Sequence, residues 1–292
     1  VIRHLVLFVL YAAIGIVLAG VTAFILFGVK GKPDLSPWHT AALHEEFTRE
    51  SSERIKTIAD YRNLEDRLFE ELRREVYQQP VGSANRGLLS RYTLGSRADP
   101  TSFPENLNHT FELDASNPRA GVLLIHGLTD SPYVYRTLAS RLHERGCSVV
   151  ALRLPGHGTA PSALASIDWR DWAAAVRMAA SDLRSRLPPE APLYMIGYST
   201  GAALAVEYSL ARLEGEALPT ADALVLLSPA IGVDPMAWLA VWQERMSSIP
   251  GLGKLAWLDV LPEYDPYKYN SFPVRAGREV YTLTQVIDER LT

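Results

Sequence analysis

The sequence has a single cysteine, Cys147, among 292 residues. That excludes an internal disulfide framework and, with no paired Cys/His cluster, a structural zinc site. Positive charge is not in surplus: 29 Lys and Arg stand against 33 Asp and Glu, a formal charge of −4. The first 32 residues hold Arg3, Lys30 and Lys32 and no acid, so the remainder is more acidic still. The basic footprint of a nucleic-acid binder is missing. Histidine is also missing where it would matter most, because residues 200–292 contain none. With 48% apolar and 21% charged residues, the composition suits one large globular domain plus an appendage, and no internal repeat is visible.

The appendage comes first. Residues 5–29, LVLFVLYAAIGIVLAGVTAFILFGV, carry no charge, and about 20 helical residues already cross a ~30 Å hydrocarbon core. A cleaved signal peptide has an apolar stretch of only about 7 to 15 residues, so residues 1–32 read as a single transmembrane anchor. Arg3 and the amino terminus on one side nearly balance Lys30 and Lys32 on the other; the expected orientation is a cytoplasmic N-terminus with the main domain outside. Residues 33–108 read as a helical linker and N-terminal extension. Within it, Leu64, Leu68, Leu72 and Val76 recur at i+4 spacing, with Glu65, Asp66, Arg67, Glu70, Arg73 and Arg74 on the other faces, which predicts an amphipathic helix over 61–76. Mixed charge argues against a lipid-binding face, and the helix is expected to pack on its own domain. Residues 78–104, rich in Gly, Ser, Arg and Pro, read as a loop or linker.

From about residue 109 the pattern changes to a core spanning 109–233. GVLLI (121–125), SVVAL (148–152), LYMI (193–196) and ALVLL (223–227) are apolar on both faces, as buried parallel strands are. Between them run amphipathic helices, one with Val134, Leu138 and Leu142 on its stripe. Another carries Trp169, Trp172, Ala173, Val176, Ala180, Leu183 and Leu187 behind an Asp168 N-cap. Alternation of this kind predicts an α/β fold with a doubly wound, mostly parallel sheet, and TFEL (110–113) fits an antiparallel edge strand.

Two motifs sit on that scaffold. Gly197-Tyr198-Ser199-Thr200-Gly201 follows the strand LYMI and opens the helix TGAALAVEYSLARL, the context of a nucleophile elbow. Glycines flank the serine because the turn is too tight for side chains, and the helix N-terminus offers the amide of Thr200. In LLIHGLTDSP, His126-Gly127 ends an earlier strand, and Gly127 lets the backbone turn so that the Leu128 amide faces the same place. Together the Leu128 and Thr200 amides would form an oxyanion hole.

HGLTDSP, LRLPGHGTAPS, IDWRDWAAAV, GYSTG and LVLLSPAIG together resemble the α/β-hydrolase superfamily, in its monoacylglycerol lipase, lysophospholipase and serine aminopeptidase branch, over roughly 109–233. The resemblance implies Ser199 as nucleophile, Leu128 and Thr200 as oxyanion-hole donors, and a helical cap after ALVLL. Residues 234–273 suit a cap in being aromatic (Trp238, Trp242, Trp257, Tyr264, Tyr267, Tyr269, Phe272), although core packing of a small helical subdomain accounts for them equally well. Residues 274–292 read as a helix returning to the core. In this fold an Asp or Glu and then a His follow the serine in chain order. No residue here matches them, and both are expected beyond Thr292. His126 and His157 lie near the strand ends but resemble loop-stabilising residues; Asp234 has no histidine to orient. The expected activity is a membrane-anchored serine hydrolase cleaving lipid-derived carboxylic esters, with no cofactor or metal. The alternatives are a non-catalytic ligand- or partner-binding module on the same fold, or a peptidase, thioesterase or acyltransferase with the same nucleophile.

Overall fold

Short strands that are apolar on both faces must be covered on both faces, and the helices are distributed accordingly. The computed structural model describes residues 2–26, 30–80, 87–232, 246, 247, 249 and 251–292. Five strands, β1 (Phe111–Leu113), β2 (Ala120–Ile125), β3 (Cys147–Leu152), β4 (Leu193–Tyr198) and β5 (Ala223–Leu227), form one sheet in the order β1-β3-β2-β4-β5. β1 is antiparallel to β3, as TFEL suggested, and the other pairs are parallel. Ile125 stands opposite Leu152 on one side and Gly197 on the other, so the ends of β2, β3 and β4 lie level.

Alternation across the pleat divides the core in two. Leu123, Ile125, Val150, Leu152, Leu193 and Met195 pack with helices α6 (Trp169–Ser185), α7 (Thr200–Leu213) and α8 (Val274–Leu291). Val122, Leu124, Val149, Ala151 and Ile196 pack beneath α4 (Arg136–His143). The apolar stripe expected there differs in detail. Val134 is exposed, on a 3₁₀ turn over Pro132–Tyr135 that Pro132 opens, and the buried residues are Tyr135 and Ala139. Among the described residues β1 and β5 are the sheet's two outer strands, and Val225, Leu226 and Leu227 of β5 are exposed.

Helix α6 starts at an Asp168 N-cap whose side chain accepts from Arg170 N, and Asp171 completes a capping box. All seven apolar positions assigned to its stripe are buried. The α6, α7 and α8 layer is stapled by Glu207 on α7, which accepts from Arg177 of α6 at 2.8 and 2.9 Å and from Arg290 of α8 at 3.1 Å. Near the N-terminus, α1 (Ile2–Ile25) is exposed along its length, and Ile2–Phe24 is apolar enough to cross a membrane, with a mean hydropathy of 2.6. A short helix α2 (Pro37–Thr40) follows, and α5 (Pro161–Leu164) lies between β3 and α6.

The extension packs on the core. Helix α3 (Ile58–Leu72) begins at Thr57, whose hydroxyl accepts from Asp60 N while the Asp60 carboxylate accepts from Thr57 N, and runs into a π turn, Arg73–Tyr77. Leu64, Leu68, Leu72 and Val76 are buried, as their spacing requires. Glu65 departs from the expected solvent-facing pattern: it is fully buried, accepting from Arg153 Nε at 2.8 Å, Thr110 Oγ1 at 2.8 Å and Thr110 N at 3.0 Å. Arg153, at the end of β3, also donates from Nη2 and Nη1 to Glu46 at 2.8 and 3.1 Å and to the His157 carbonyl at 3.0 Å. In the stretch read as a linker, residues 81–86 lie outside the described residues, and Arg91 and Tyr92 are buried.

Breaking a buried ion pair from one side leaves the other charge unmatched, at about 3–5 kcal/mol. Arg153→Met is therefore expected to lower the unfolding free energy by about that much in urea denaturation of the detergent-solubilised chain. Arg153→Lys is expected to recover little, since an ammonium cannot repeat the forked geometry. A loss below about 1 kcal/mol for Arg153→Met would mean the network is not holding the extension.

Candidate active site

β4 ends at Tyr198 and α7 begins at Thr200, leaving one residue to turn the chain. Ser199 does so at φ 53°, ψ −115°, a conformation that costs a residue with a Cβ of order 1–3 kcal/mol. The surrounding backbone over-determines it: Ser199 N donates to Leu227 O at 2.9 Å, and Ser199 O accepts from Ala202, Ala203 and Ala230 amides at 3.1–3.2 Å. Among the described residues, the non-glycine positive-φ positions are Thr129, Ser199 and Ser228. They follow β2, β4 and β5, so backbone strain gathers at the carboxyl edge of the parallel strands, where open α/β sheets bind ligands.

The glycines have steric reasons. A Cβ on Gly201 would lie 2.0 Å from Ile125 O, and one on Gly197 would lie 2.4 Å from Gly201 O; the first turn of α7 rests directly on the end of β2. A Cβ on Gly127 would meet Tyr198 Cδ1 at 2.9 Å and Ser199 Cβ at 3.2 Å. The turn 126–128 is thus brought beside the serine. Ser199 and Leu128 are half-buried and Thr200 is buried. Among the described residues, the backbone amides of Leu128 and Thr200 donate to no acceptor.

Five of the seven histidines are engaged away from Ser199. His126 is buried; its Nε2 accepts from Leu154 N at 3.0 Å, so its Nδ1 donates to Gly127 O at 2.9 Å. Desolvation holds it neutral, with a pKa lowered to about 4. Both nitrogens are engaged, and its work is to fix the turn that carries Leu128. His157 is buried edge-on to His126 at 4.9 Å and donates from Nδ1 to Pro155 O at 3.0 Å; burial drives its pKa well below the ordinary value. His39 makes a Ser–His pair away from Ser199, 3.0 Å from Ser271 Oγ. Because its Nδ1 accepts from Ser36 N, Nε2 carries the proton and donates to the serine, the wrong direction for a general base. His109 stacks on Phe69, with ring centroids 3.7 Å apart, and His143 faces Cys147 O at 3.3 Å. Among the described residues, no side chain is hydrogen-bonded to the Ser199 hydroxyl. None of them form a cluster of three or more His, Cys, Asp or Glu suited to a metal.

The aromatic cap positions Trp238 and Trp242, and the acid Asp234, lie outside the described residues. Trp257 packs edge-on to His39, Tyr267 stacks on Tyr133 at 3.6 Å, and Tyr264 is exposed. Tyr269 has a role that its sequence context did not signal. Its amide donates to Thr129 O at 2.9 Å; its hydroxyl accepts from Thr159 N at 2.7 Å and donates to Gly156 O at 3.1 Å. One tyrosine therefore ties the turn after β2 to the loop after β3. Burial pushes its phenol up, which keeps it a donor.

A family model described as serine aminopeptidase, S33, matches residues 116–259, a span that includes Leu128 and Ser199. A thermostable monoacylglycerol lipase from Bacillus sp. (strain H-257) is 34% identical over 90 residues, or 31% of this chain and 35% of the lipase. The match thus spans about a third of that relative's length. Among solved structures, one from a study of the metagenome-derived lipolytic enzymes LipS and LipT aligns with a TM-score of 0.51 at 26% identity, covering 63% of this chain and 71% of that one.

Glycine tolerates the Ser199 backbone where alanine does not. Ser199→Gly is expected to be more stable than Ser199→Ala by about 1 kcal/mol, measured as the difference in denaturation free energy. Equal stabilities would show that the turn is unstrained.

Proposed function

Starting from an α/β-hydrolase fold of the monoacylglycerol lipase and lysophospholipase-like branch, we propose that this chain is a serine hydrolase that cleaves carboxylic esters through an acyl-enzyme on Ser199. The observation that carries the reading is the strained Ser199 backbone at φ 53°, ψ −115° between a strand end and a helix N-terminus, beside two amides without acceptors. Strain kept at one residue by several hydrogen bonds is the arrangement expected when a side chain must be presented, not packed.

In this reading the Ser199 oxygen bonds to the ester carbonyl carbon as its proton passes to a general base. The carbonyl electrons move onto oxygen, and the Leu128 and Thr200 amides hold that charge, each contributing about 10²–10³ in rate. Collapse breaks the bond to the alcohol, which leaves with the proton. Water then repeats the sequence on the acyl-enzyme and releases the acid. His126 and Tyr269 act on the amide of Leu128 by fixing its turn. None of the described histidines is hydrogen-bonded to the Ser199 hydroxyl, and the proposal assigns none of them as the general base.

The substrate assigned is a lipid-derived ester of the monoacylglycerol or lysophospholipid kind. The similarity to a monoacylglycerol lipase supports that assignment, as does α1, whose 24 residues reach about 36 Å, enough for a ~30 Å hydrocarbon core. The same proposal makes α1 a retained single-pass anchor with the body on the extracytoplasmic side.

A fluorophosphonate probe applied to the full-length natural protein is expected to label wild type and not Ser199→Ala, with ester turnover falling at least about 10³-fold in the variant. Absence of labelling in a folded wild type would favour the non-catalytic binding module instead.

A further inference from the structure

The chain leaving α1 is fastened to the body almost at once. Lys32 Nζ donates to Trp257 O, and Lys254 Nζ donates to Lys32 O at 3.0 Å and to Asp34 Oδ1 at 2.8 Å. Leu26 and Lys32 are six residues apart in the chain, a reach of at most roughly 20 Å. A bilayer that holds α1 therefore has the Trp257 region close to its headgroups, whatever path the intervening residues take.

Around that fastening point the body's surface is apolar. Leu88, Leu89, Leu258, Leu261 and Tyr264 are between 45% and 79% exposed. Three observations hold them together as a patch. Leu89 and Tyr264 line one recess of about 330 Å³ with Trp38 and Pro262. The amide of Arg91 donates to Glu263 O at 2.8 Å, which holds the 88–91 stretch against 261–264. Leu258 directly follows Trp257 in the short strand β6 (Trp257–Asp259), which pairs with β7 (Phe272–Pro273). Of the charges in this region, Lys254 pairs with Asp34, the Glu263 carboxylate accepts from Asn270 N and Ser271 N at 2.9 and 2.8 Å, and Asp259 beside Leu258 is exposed. A contiguous apolar surface with a tyrosine at its rim is suited to the headgroup–acyl boundary and is poorly suited to water.

We infer that the face bearing Leu88, Leu89, Leu258, Leu261 and Tyr264 is seated in the bilayer surface beside α1, giving the body a second membrane contact and a fixed orientation. The inference rests on α1 being a retained membrane span. It makes the anchor more than a tether: the recess lined by Trp38 and Pro262 opens toward lipid, and the body does not turn freely above the membrane.

The test uses the full chain in vesicles of phosphatidylcholine and phosphatidylglycerol, in a Cys147→Ala background. Single cysteines placed by Leu89→Cys, Leu261→Cys and Tyr264→Cys carry an environment-sensitive fluorophore. Glu190→Cys, before β4 at the opposite end of the sheet, serves as the aqueous control, and Val17→Cys in α1 as the membrane control. Brominated phosphatidylcholine is expected to quench positions 89, 261 and 264 several-fold more than position 190. The inference is overturned if those three behave like position 190 while position 17 is quenched. If position 17 is not quenched either, the membrane-span reading falls and takes this inference with it.

Discussion

Arg153 places a guanidinium where there is no water, and much of the chain is arranged to satisfy it. Its partners come from three separate stretches: Glu46 from the segment before α3, Glu65 from α3 itself, and the carbonyl of His157 from the loop after β3. Burial works against its charge, and the carboxylates of Glu46 and Glu65 outweigh it, so that the guanidinium is held charged. Desolvation on this scale is tolerable only when the charge is paired and hydrogen-bonded. Each of the three guanidinium nitrogens has an acceptor, and these bonds fix the N-terminal extension against the carboxyl end of β3. Tyr61 adds a hydrogen bond to Arg153 O at 2.9 Å, and Gly156 N donates to Glu46 at 2.9 Å. The extension is therefore part of the scaffold beneath the loops at the sheet's carboxyl edge.

Those loops are joined to one another side by side. His126 bridges the Gly127 carbonyl and the Leu154 amide, and Tyr269 bridges Thr129, Thr159 and Gly156. Gly127 is pressed against Ser199 so closely that a Cβ there would touch it. Each contact is short-range, yet the chain of contacts runs from Arg153 through the 154–159 loop and His126 to the turn bearing the Leu128 amide. Preorganisation of this kind matters because a donor held in place needs no reorganisation when charge develops on a bound carbonyl oxygen.

Much of this could be read in the sequence, for physical reasons that also explain what could not. The four apolar runs assigned as parallel strands lie within strands that extend them by at most two residues; burial on both faces accounts for the pattern in β2, β3 and β4, whereas β5 is exposed at Val225, Leu226 and Leu227. The 197–201 turn was legible because its glycines answer a steric demand local to the chain. Glu65 was not: a carboxylate among Asp66, Arg67 and Glu70 looks like one of a solvated face until a guanidinium 88 residues away claims it. Val134 was taken into a helical stripe that begins only after Pro132 has opened a 3₁₀ turn. Tyr269 was one aromatic among seven in 234–273, and nothing local marks it as the residue that ties two loops. Ser–His geometry at His39 and Ser271 is equally invisible in sequence, and its tautomer sets it apart from a catalytic pair.

The central claim is that Ser199 and the amides of Leu128 and Thr200 act on one carbonyl. The measurement that tests it most directly is a crystal structure of the full-length protein with an alkyl boronic acid, whose tetrahedral adduct imitates the intermediate. The account predicts a bond from boron to Ser199 Oγ, with one boronate oxygen about 2.7–3.1 Å from both amides. A boronate bound away from Ser199, or bonded to it with its oxygens turned from Leu128 and Thr200, would contradict the account.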